Sequence, residues 1–278
     1  MTGVNYGLDK SKTEGANQSI MGYIITIANQ KGGVGKTTTA VNLSASLAAA
    51  EKSCLLIDCD PQGNATTGLG IHRKSVKNGL YEYMMGSVTY QEAIMNTELI
   101  KLKLIGATID LVGAEIEMAT AEEREYKLKK CLQPLKEQYD YIFLDCPPSL
   151  GLMTVNALTA ADAILVPLQC EYYAMEGLSQ LLQTVKAVKK GLNPGLRMAG
   201  ILLTMYDGRN NLAVQVAADV REHFKEAVFQ SVIPRNVRLS EAPSHGKPIL
   251  LYDIKSNGAQ SYLALAQELV ARGAGYYE

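Results

Sequence analysis

The stretch Gln30-Lys31-Gly32-Gly33-Val34-Gly35-Lys36-Thr37-Thr38 decides the fold of this chain. It follows Tyr23 to Ala28 (YIITIA), an apolar and β-branched run that is typical of a buried strand. It leads into Thr38 to Ala50, where helix formers and apolar residues at helical spacing predict a helix. The glycines therefore lie at a strand-to-helix turn, where backbone N–H groups can converge on an anion at the positive end of the helix. We interpret the stretch as a phosphate-binding loop whose contacts run from Lys31 to Thr38.

Two lysines and a hydroxyl give this loop its chemistry. Lys36 supplies a point charge for phosphate, and Thr37 supplies a hydroxyl ligand for Mg²⁺. The loop departs from the standard P-loop, because Gln30 replaces the first glycine and Lys31 follows it. Lys31 points away from its own helix terminus, which places it well for phosphates of another subunit. The alternative is a glycine-rich turn with two solvated lysines, and the flanking strand and helix argue against it.

Three aspartates follow predicted strands. Asp58 and Asp60 come after Cys54–Ile57, and Asp145 comes after Tyr141–Leu144. Because the carboxyl ends of parallel strands meet at one edge of a sheet, we expect these carboxylates beside the phosphate loop. Asp58 is a candidate for the magnesium shell, Asp145 for binding magnesium through water, and Asp60 for orienting or deprotonating an attacking water. Alternatively, Asp58 and Asp60 merely cap the following helix.

The remaining chain alternates strands and helices. We predict strands at Leu102–Ile105, Ile109–Val112, Ala163–Pro167 and Met198–Thr204. We predict two short helices within Leu80–Met95. We predict longer helices at Glu115–Gln138 (broken near Pro134), Tyr172–Lys190, Asn211–Phe224 and Asn257–Arg272. In the last of these, the spacing of Leu263, Ala266, Leu269 and Val270 predicts the face that packs on the core. This order predicts an α/β fold with a doubly wound, mostly parallel, twisted sheet and helices on both faces. We expect one domain over residues 21–278.

Composition is that of a globular α/β protein, with 47% apolar residues, 20% charged residues and a net charge of −1 over 278 residues. Residues 1–20 are polar and aperiodic, and we expect a disordered tail there, with an interaction arm as the alternative. No apolar run approaches the ~20 residues of a membrane span, and the N-terminus lacks a signal-peptide core, so we expect a cytoplasmic protein. The five cysteines form no CxxC pair and are expected to be small core residues.

Four motifs in order carry a family resemblance. They are NQKGGVGKTT (Asn29–Thr38), LLIDCDPQGNAT (Leu55–Thr66), YIFLDCPPSLG (Tyr141–Gly151) and IPRNVRLSEAPSHGKP (Ile233–Pro248). Together they resemble the ParA/MinD family of deviant Walker A ATPases, and within it the chromosome-partitioning ParA proteins of the Soj type. The resemblance implies an ATPase that binds ATP with Mg²⁺, with Lys31, Lys36 and Asp60 as candidate catalytic residues, Asp60 carrying hydrolysis. It also implies a homodimer that forms on ATP, binding to double-stranded DNA without sequence preference, and stimulation by a ParB-type partner.

The base of the nucleotide is expected near Ile233–Asn236. Pro234 offers a flat apolar surface and Asn236 offers polar edges. The sequence departs from relatives that place an asparagine after the threonine of the preceding strand, because Met205 follows Thr204 here.

Basic residues outnumber acidic ones in one stretch of the chain. From Leu181 to Gln260 there are eleven Lys or Arg against six Asp or Glu, a local net charge of +5. Arg209 and Arg238 match positions that serve DNA binding in Soj-like proteins. Each would otherwise be a solvated surface arginine.

A second functional class is a MinD-like scaffold that positions a complex at a membrane or cell pole, with ATP as a dimerisation ligand. MinD-like proteins end in a basic amphipathic membrane helix, whereas this chain ends in Gly-Ala-Gly-Tyr-Tyr-Glu with little positive charge. We therefore expect no membrane binding.

Overall fold

A single seven-stranded sheet forms the centre of the computed structural model, which describes residues 22–273. The strands are β1 (Tyr23–Ile27), β2 (Cys54–Asp58), β3 (Ile94–Asn96), β4 (Leu102–Ile105), β5 (Tyr141–Asp145), β6 (Ala163–Gln169) and β7 (Arg197–Thr204). Their order is β3-β4-β2-β5-β1-β6-β7, with β3 antiparallel to β4 and every other pair parallel. The tail predicted over residues 1–20 lies outside the described residues.

Helices cover both faces of this sheet. Those of the described part of the chain are α1 (Lys36–Ala49), α2 (Asn64–Gly68), α3 (Leu80–Met84), α4 (Tyr90–Ala93), α5 (Leu111–Met118), α6 (Lys127–Leu132), α7 (Leu152–Ala160), α8 (Ala174–Gly191), α9 (Asn211–Phe224), α10 (Val237–Glu241), α11 (Ile249–Tyr252) and α12 (Asn257–Arg272). Alternate residues of a strand pack into two cores, one on each face of the sheet. Leu55 and Ile57 pack against the helices from α5 to α9, and Leu56 packs against α1 and α12. The prediction of a doubly wound sheet with helices on both faces is confirmed.

The edge of the sheet beside β4 differs from the prediction. The prediction of a strand at Ile109–Val112 is wrong, because this stretch leads into helix α5 and Ile109 is 65% exposed. The edge position is taken instead by β3, whose three residues pair with Lys103–Ile105 of β4. A three-residue strand has no readable period of its own, so only its pairing with β4 defines it.

Two helix predictions also need correction. The single helix expected over Glu115–Gln138 is several pieces: α5, a 3₁₀ turn at Arg124–Tyr126, α6, and a second 3₁₀ turn around Pro134. In α12, Val270 is 41% exposed rather than facing the core, and Tyr262 and Leu265 are buried in its place. The helix is rotated on α1 relative to the expected face.

The cysteines lie where a packing role would place them. Cys54, Cys59, Cys146 and Cys170 are buried, and Cys131 is half-buried. None of the helices within residues 22–273 is long and apolar enough to cross a bilayer.

Candidate functional site

The phosphate-binding loop joins β1 to α1 in the predicted strand-to-helix arrangement. Gly33 and Gly35 have φ angles of +76° and +88°, in the left-handed region where a side chain is disfavoured. Lys36 opens α1 and is buried, and its Nζ donates a 3.0 Å hydrogen bond to the carbonyl oxygen of Lys31. The lysine thus folds back over the loop, with its ammonium group at the first residue of the loop.

Two buried side chains that local sequence patterns did not indicate fix this loop to the sheet. Asn29 donates from Nδ2 to the carbonyl oxygen of Pro167 at 2.7 Å, and its Oδ1 accepts from the backbone N–H of Lys31 at 3.0 Å. Thr204 donates from Oγ1 to the carbonyl oxygen of Val34 at 2.8 Å. Asn29 follows the apolar strand β1, and Thr204 is the last residue of the apolar strand β7. A polar residue at such a position is the sequence feature that could have indicated these two anchors.

Asp58 and Asp145 are brought side by side at the carboxyl edge of β2 and β5, where they are register partners. Both are fully buried. Asp58 is well satisfied: its Oδ2 accepts from the N–H and hydroxyl of Thr66 at 2.8 and 2.7 Å, and its Oδ1 accepts from the N–H of Asp60 at 3.2 Å. By contrast, neither carboxylate oxygen of Asp145 has a hydrogen-bond partner of standard geometry among the described residues.

The electrostatics of these groups follow from burial. Burial raises the pKa of Asp58 to about 6, against the opposing hydrogen bonds from Thr66. Burial raises the pKa of Asp145 well above its usual value, and the neighbouring Asp58 raises it further, while the nearby Thr37 hydroxyl lowers it. Burial lowers the pKa of Lys36, and Asp145 opposes this effect. Unpaired buried carboxylate oxygens beside a hydroxyl and a lysine fit a hydrated divalent cation, since oxygen ligands and retained waters are what Mg²⁺ requires.

Asp60 lies at the rim of this cluster. It is 7% exposed, and its Oδ1 accepts from the N–H of Gln62 at 2.9 Å. A cavity of ≈ 350 Å³ places Asp60 together with the loop residues Gly32, Lys36 and Thr37. Its carboxylate therefore shares one cavity with the residues that would contact phosphate.

A second cavity of ≈ 380 Å³ adjoins the first. Its lining includes Pro234 and Asn236, the residues expected near a base, so we call it the base-side cavity and the first one the phosphate cavity. The two cavities share Gly35, Thr38 and Met205 in their linings. The Oδ1 of Asn236 caps helix α10 by accepting from the N–H of Leu239 at 3.2 Å. The predicted base-side residues thus lie next to the loop, although the Asn236 oxygen is already engaged.

The backbone of Lys31 contacts Lys36, but the Lys31 side chain is engaged elsewhere. Its ammonium group forms an ion pair with Glu171, which follows β6. Both side chains remain partly exposed. No pattern in the sequence indicates this pairing, because 140 residues separate the partners.

The two arginines singled out for DNA lie outside both cavities. Arg209 is 91% exposed and binds Asp207 through Nε and Nη2 at 2.9 and 2.8 Å. Arg238 pairs with Glu241 at 2.9 Å and approaches Asp253 at 3.6 Å. The guanidinium of Arg209 holds the pKa of Asp207 well below its usual value. Each arginine is therefore exposed but carries a local counter-charge.

Comparison with known proteins places this geometry in a family. A family model described as an AAA domain matches residues 22–198. The chain is 59% identical over 252 residues to the chromosome partitioning protein ParA of Myxococcus xanthus, covering 91% of this chain and 89% of the relative. It is 56% identical over 253 residues to the sporulation initiation inhibitor protein Soj of Bacillus subtilis, covering 91% of this chain and 100% of the relative.

A solved structure carries the same fold with ligands in place. Cobyrinic acid a,c-diamide synthase of Mycobacterium smegmatis, with bound ADP and magnesium, superposes with a TM-score of 0.80 at 37% identity, covering 91% of this chain and 95% of that one. With the glycine loop, the buried carboxylates and two ParA-type relatives above 50% identity, the chain belongs to the ParA/MinD family of P-loop ATPases.

Proposed function

We propose that this protein is an ATP-dependent chromosome- or plasmid-partitioning ATPase that dimerises on ATP, binds DNA without sequence preference and is stimulated by a ParB-type partner. The observation that carries the proposal is the shared cavity in which Asp60, Lys36 and Thr37 meet, next to the unpaired carboxylate of Asp145. The 59% identity to the chromosome partitioning protein ParA of Myxococcus xanthus supports the biological role.

The chain's own residues suggest how ATP and Mg²⁺ would be held. The backbone from Lys31 to Thr38, with Lys36, would bind the phosphates, and Thr37, Asp58 and Asp145 would hold the magnesium shell, Asp145 through water. Magnesium would neutralise phosphate charge when bound. Asp60 would accept a hydrogen bond from the attacking water and orient it, a positioning role that suits phosphoryl transfer, which needs little covalent help.

The dimer would depend on Lys31. Its ammonium group lies on a partly exposed surface next to the phosphate cavity, where it pairs with Glu171. In a face-to-face dimer Lys31 would leave Glu171 and reach the phosphates bound by the partner subunit, since a multiply charged phosphate chain attracts an ammonium group more strongly than one carboxylate. Gly32 is exposed at the same surface, where two backbones would approach closely.

DNA binding would use the basic stretch from Leu181 to Gln260. Arg209 and Arg238 are exposed, and Arg235 lies beside the loop that carries Arg209, because its N–H donates to the carbonyl oxygen of Tyr206 at 3.0 Å. Dimerisation would place two copies of this surface on one side, which couples ATP binding to affinity for phosphates without any base-reading element. We expect the protein in the cytoplasm, associated with the nucleoid when ATP is bound.

The test is size-exclusion chromatography with and without Mg·ATP, followed by retention of unrelated DNA duplexes by the dimer fraction. We expect an ATP-dependent dimer that retains every duplex at low salt, and ATP turnover that rises with DNA and a ParB-type partner together. Failure to retain any duplex would overturn the DNA assignment. Stimulation by lipid vesicles instead of DNA would favour the MinD-like scaffold.

A further inference from the structure

Met205 has an unusual backbone conformation at the nucleotide site. Its φ angle is +48°, in the left-handed region that residues with a Cβ disfavour. The other non-glycine residues with positive φ within residues 22–273 are Glu51, Glu123 and Lys225, all of them exposed. Met205 is partly buried and directly follows a buried strand, so its conformation has a different cause.

Flanking hydrogen bonds impose this conformation. On one side, Thr204 donates its hydroxyl hydrogen to the carbonyl oxygen of Val34 in the phosphate loop. On the other side, the N–H of Tyr206 donates to the carbonyl oxygen of Ile233, and the N–H of Arg235 donates to the carbonyl oxygen of Tyr206, both at 3.0 Å. The backbone is therefore held at both ends between the phosphate loop and the Pro234 segment. Strain that the surrounding structure enforces is typical of functional sites.

This conformation directs the Met205 side chain to the junction of the two cavities. Met205 lines both the phosphate cavity and the base-side cavity. Its Cε lies 4.0 Å from the point where a Cβ on Gly35 would stand. Pro234 lines the base-side cavity too, and it is bridged to Tyr206, the residue after Met205. The thioether and the proline ring therefore contribute an apolar wall to the cavity that adjoins the phosphate loop.

We propose that Met205 is a nucleotide-positioning residue whose thioether packs against the nucleoside of the bound nucleotide, on the wall it forms with Pro234. This inference rests on the proposed nucleotide site. A thioether is polarizable and packs well on aromatic rings, but it offers no strong donor or acceptor. Met205 therefore contributes affinity through contact with the nucleoside and does not read the edge of the base.

The experiment compares Met205→Ala with the volume-conserving Met205→Leu, using calorimetric titration with two probes, Mg·ADP and Mg·pyrophosphate. Removing the thioether removes contact with the nucleoside only, so Met205→Ala weakens Mg·ADP binding about tenfold and leaves Mg·pyrophosphate binding unchanged. Met205→Leu retains Mg·ADP affinity within about threefold. If Met205→Ala does not fold, Met205→Gly makes the same comparison, because glycine accepts the left-handed backbone.

Two results would overturn the inference. Unchanged Mg·ADP affinity in Met205→Ala would show that the side chain does not contact the nucleotide. An equal decrease in affinity for both probes would show that Met205 acts only by shaping the phosphate loop. A wild-type protein that binds neither probe would instead refute the proposed nucleotide site itself.

Discussion

Asp58 and Asp145 stand side by side as register partners of β2 and β5, fully buried, yet only Asp58 is satisfied by hydrogen bonds. Two buried like charges destabilise the protein unless a proton or a cation neutralises them. This pair therefore links stability, pH and magnesium.

The first prediction concerns this linkage. The folded-state pKa of Asp58 is about 6 against an ordinary value of 3.8, so the folded protein binds the proton more tightly than the unfolded chain. The stability that this group contributes is fully present below about pH 3.8 and is lost as pH rises through about 6, on the order of a few kcal/mol. We expect Mg·ADP to raise the Tm more at pH 8 than at pH 5.5, measured against ADP with EDTA.

Asp145→Asn is the matched variant for this measurement. It removes one of the two charges, so the magnesium-dependent part of the Tm increase should fall and the apo protein should lose less stability between pH 5.5 and pH 8. Titration of groups elsewhere cancels in the comparison with wild type. A magnesium-dependent increase in Tm that is the same at both pH values would contradict the proposed role of the pair.

The second prediction concerns hydrolysis. Asp60→Ala should bind ATP and dimerise but lose turnover by at least about 100-fold, because no other described carboxylate lines the phosphate cavity. Steady-state phosphate release measures the loss of turnover, and size-exclusion chromatography with ATP measures the retained dimerisation. Glu137→Ala, an exposed site outside the cavity, should behave as wild type. Undiminished turnover in Asp60→Ala would remove this residue from the mechanism.

The third prediction concerns the dimer surface. A Cβ on Gly32 would meet only the Cβ of Pro148, at 3.9 Å, so the single subunit has room for a side chain there. Gly32→Val should therefore fold and bind ATP but remain monomeric, because the obstruction arises only against a partner. Gly191→Val, at the end of α8 with nothing within 4 Å of its Cβ position, is the control and should dimerise. Sedimentation that finds an ATP-dependent Gly32→Val dimer would defeat the face-to-face arrangement.

The fourth prediction separates the two lysines. Lys36→Ala should lose nucleotide binding, whereas Lys31→Ala should bind ATP and fail to dimerise. Glu171→Gln removes the carboxylate charge that pairs with Lys31 in the single subunit, so it should dimerise at a lower ATP concentration than wild type. Titrations of ATP followed by light scattering check all three variants. A higher ATP requirement in Glu171→Gln would mean that Glu171 supports the dimer rather than competing with it.

The fifth prediction concerns DNA. Arg209→Ala and Arg238→Ala should weaken binding equally across DNA sequences and keep ATP-dependent dimerisation. Each should also flatten the dependence of log K on log salt by about one unit for every phosphate that a protomer no longer neutralises. Lys101→Ala, an exposed cation that precedes β4 at the other side of the sheet, is the charge-matched control. Weakening confined to particular DNA sequences would contradict a pure interaction with phosphate.

Much of this molecule was predictable from local sequence. The loop from Lys31 to Thr38 is contiguous, so its glycines, its lysine and its flanking strand and helix are all read from one stretch. Asp58 and Asp145 were predictable as neighbours because each ends an apolar strand, and parallel strands place their carboxyl ends at one edge. These features depend on residue order and period, and both are present in the chain before it folds.

The tertiary structure alone decided which distant groups satisfy one another. Thr204 reaches Val34 across 170 residues, Asn29 reaches Pro167 across 138, and no periodicity or composition encodes such pairs. The same holds for β3, which exists only through β4, and for Val270, whose exposure depends on how α12 is rotated against α1. The sequence alone determined the fold class and the phosphate loop, because these follow from local pattern. The anchors of the loop, the Lys31–Glu171 pair and the strained Met205 arose only from packing, because a hydrogen bond between distant residues depends on where the whole sheet places them.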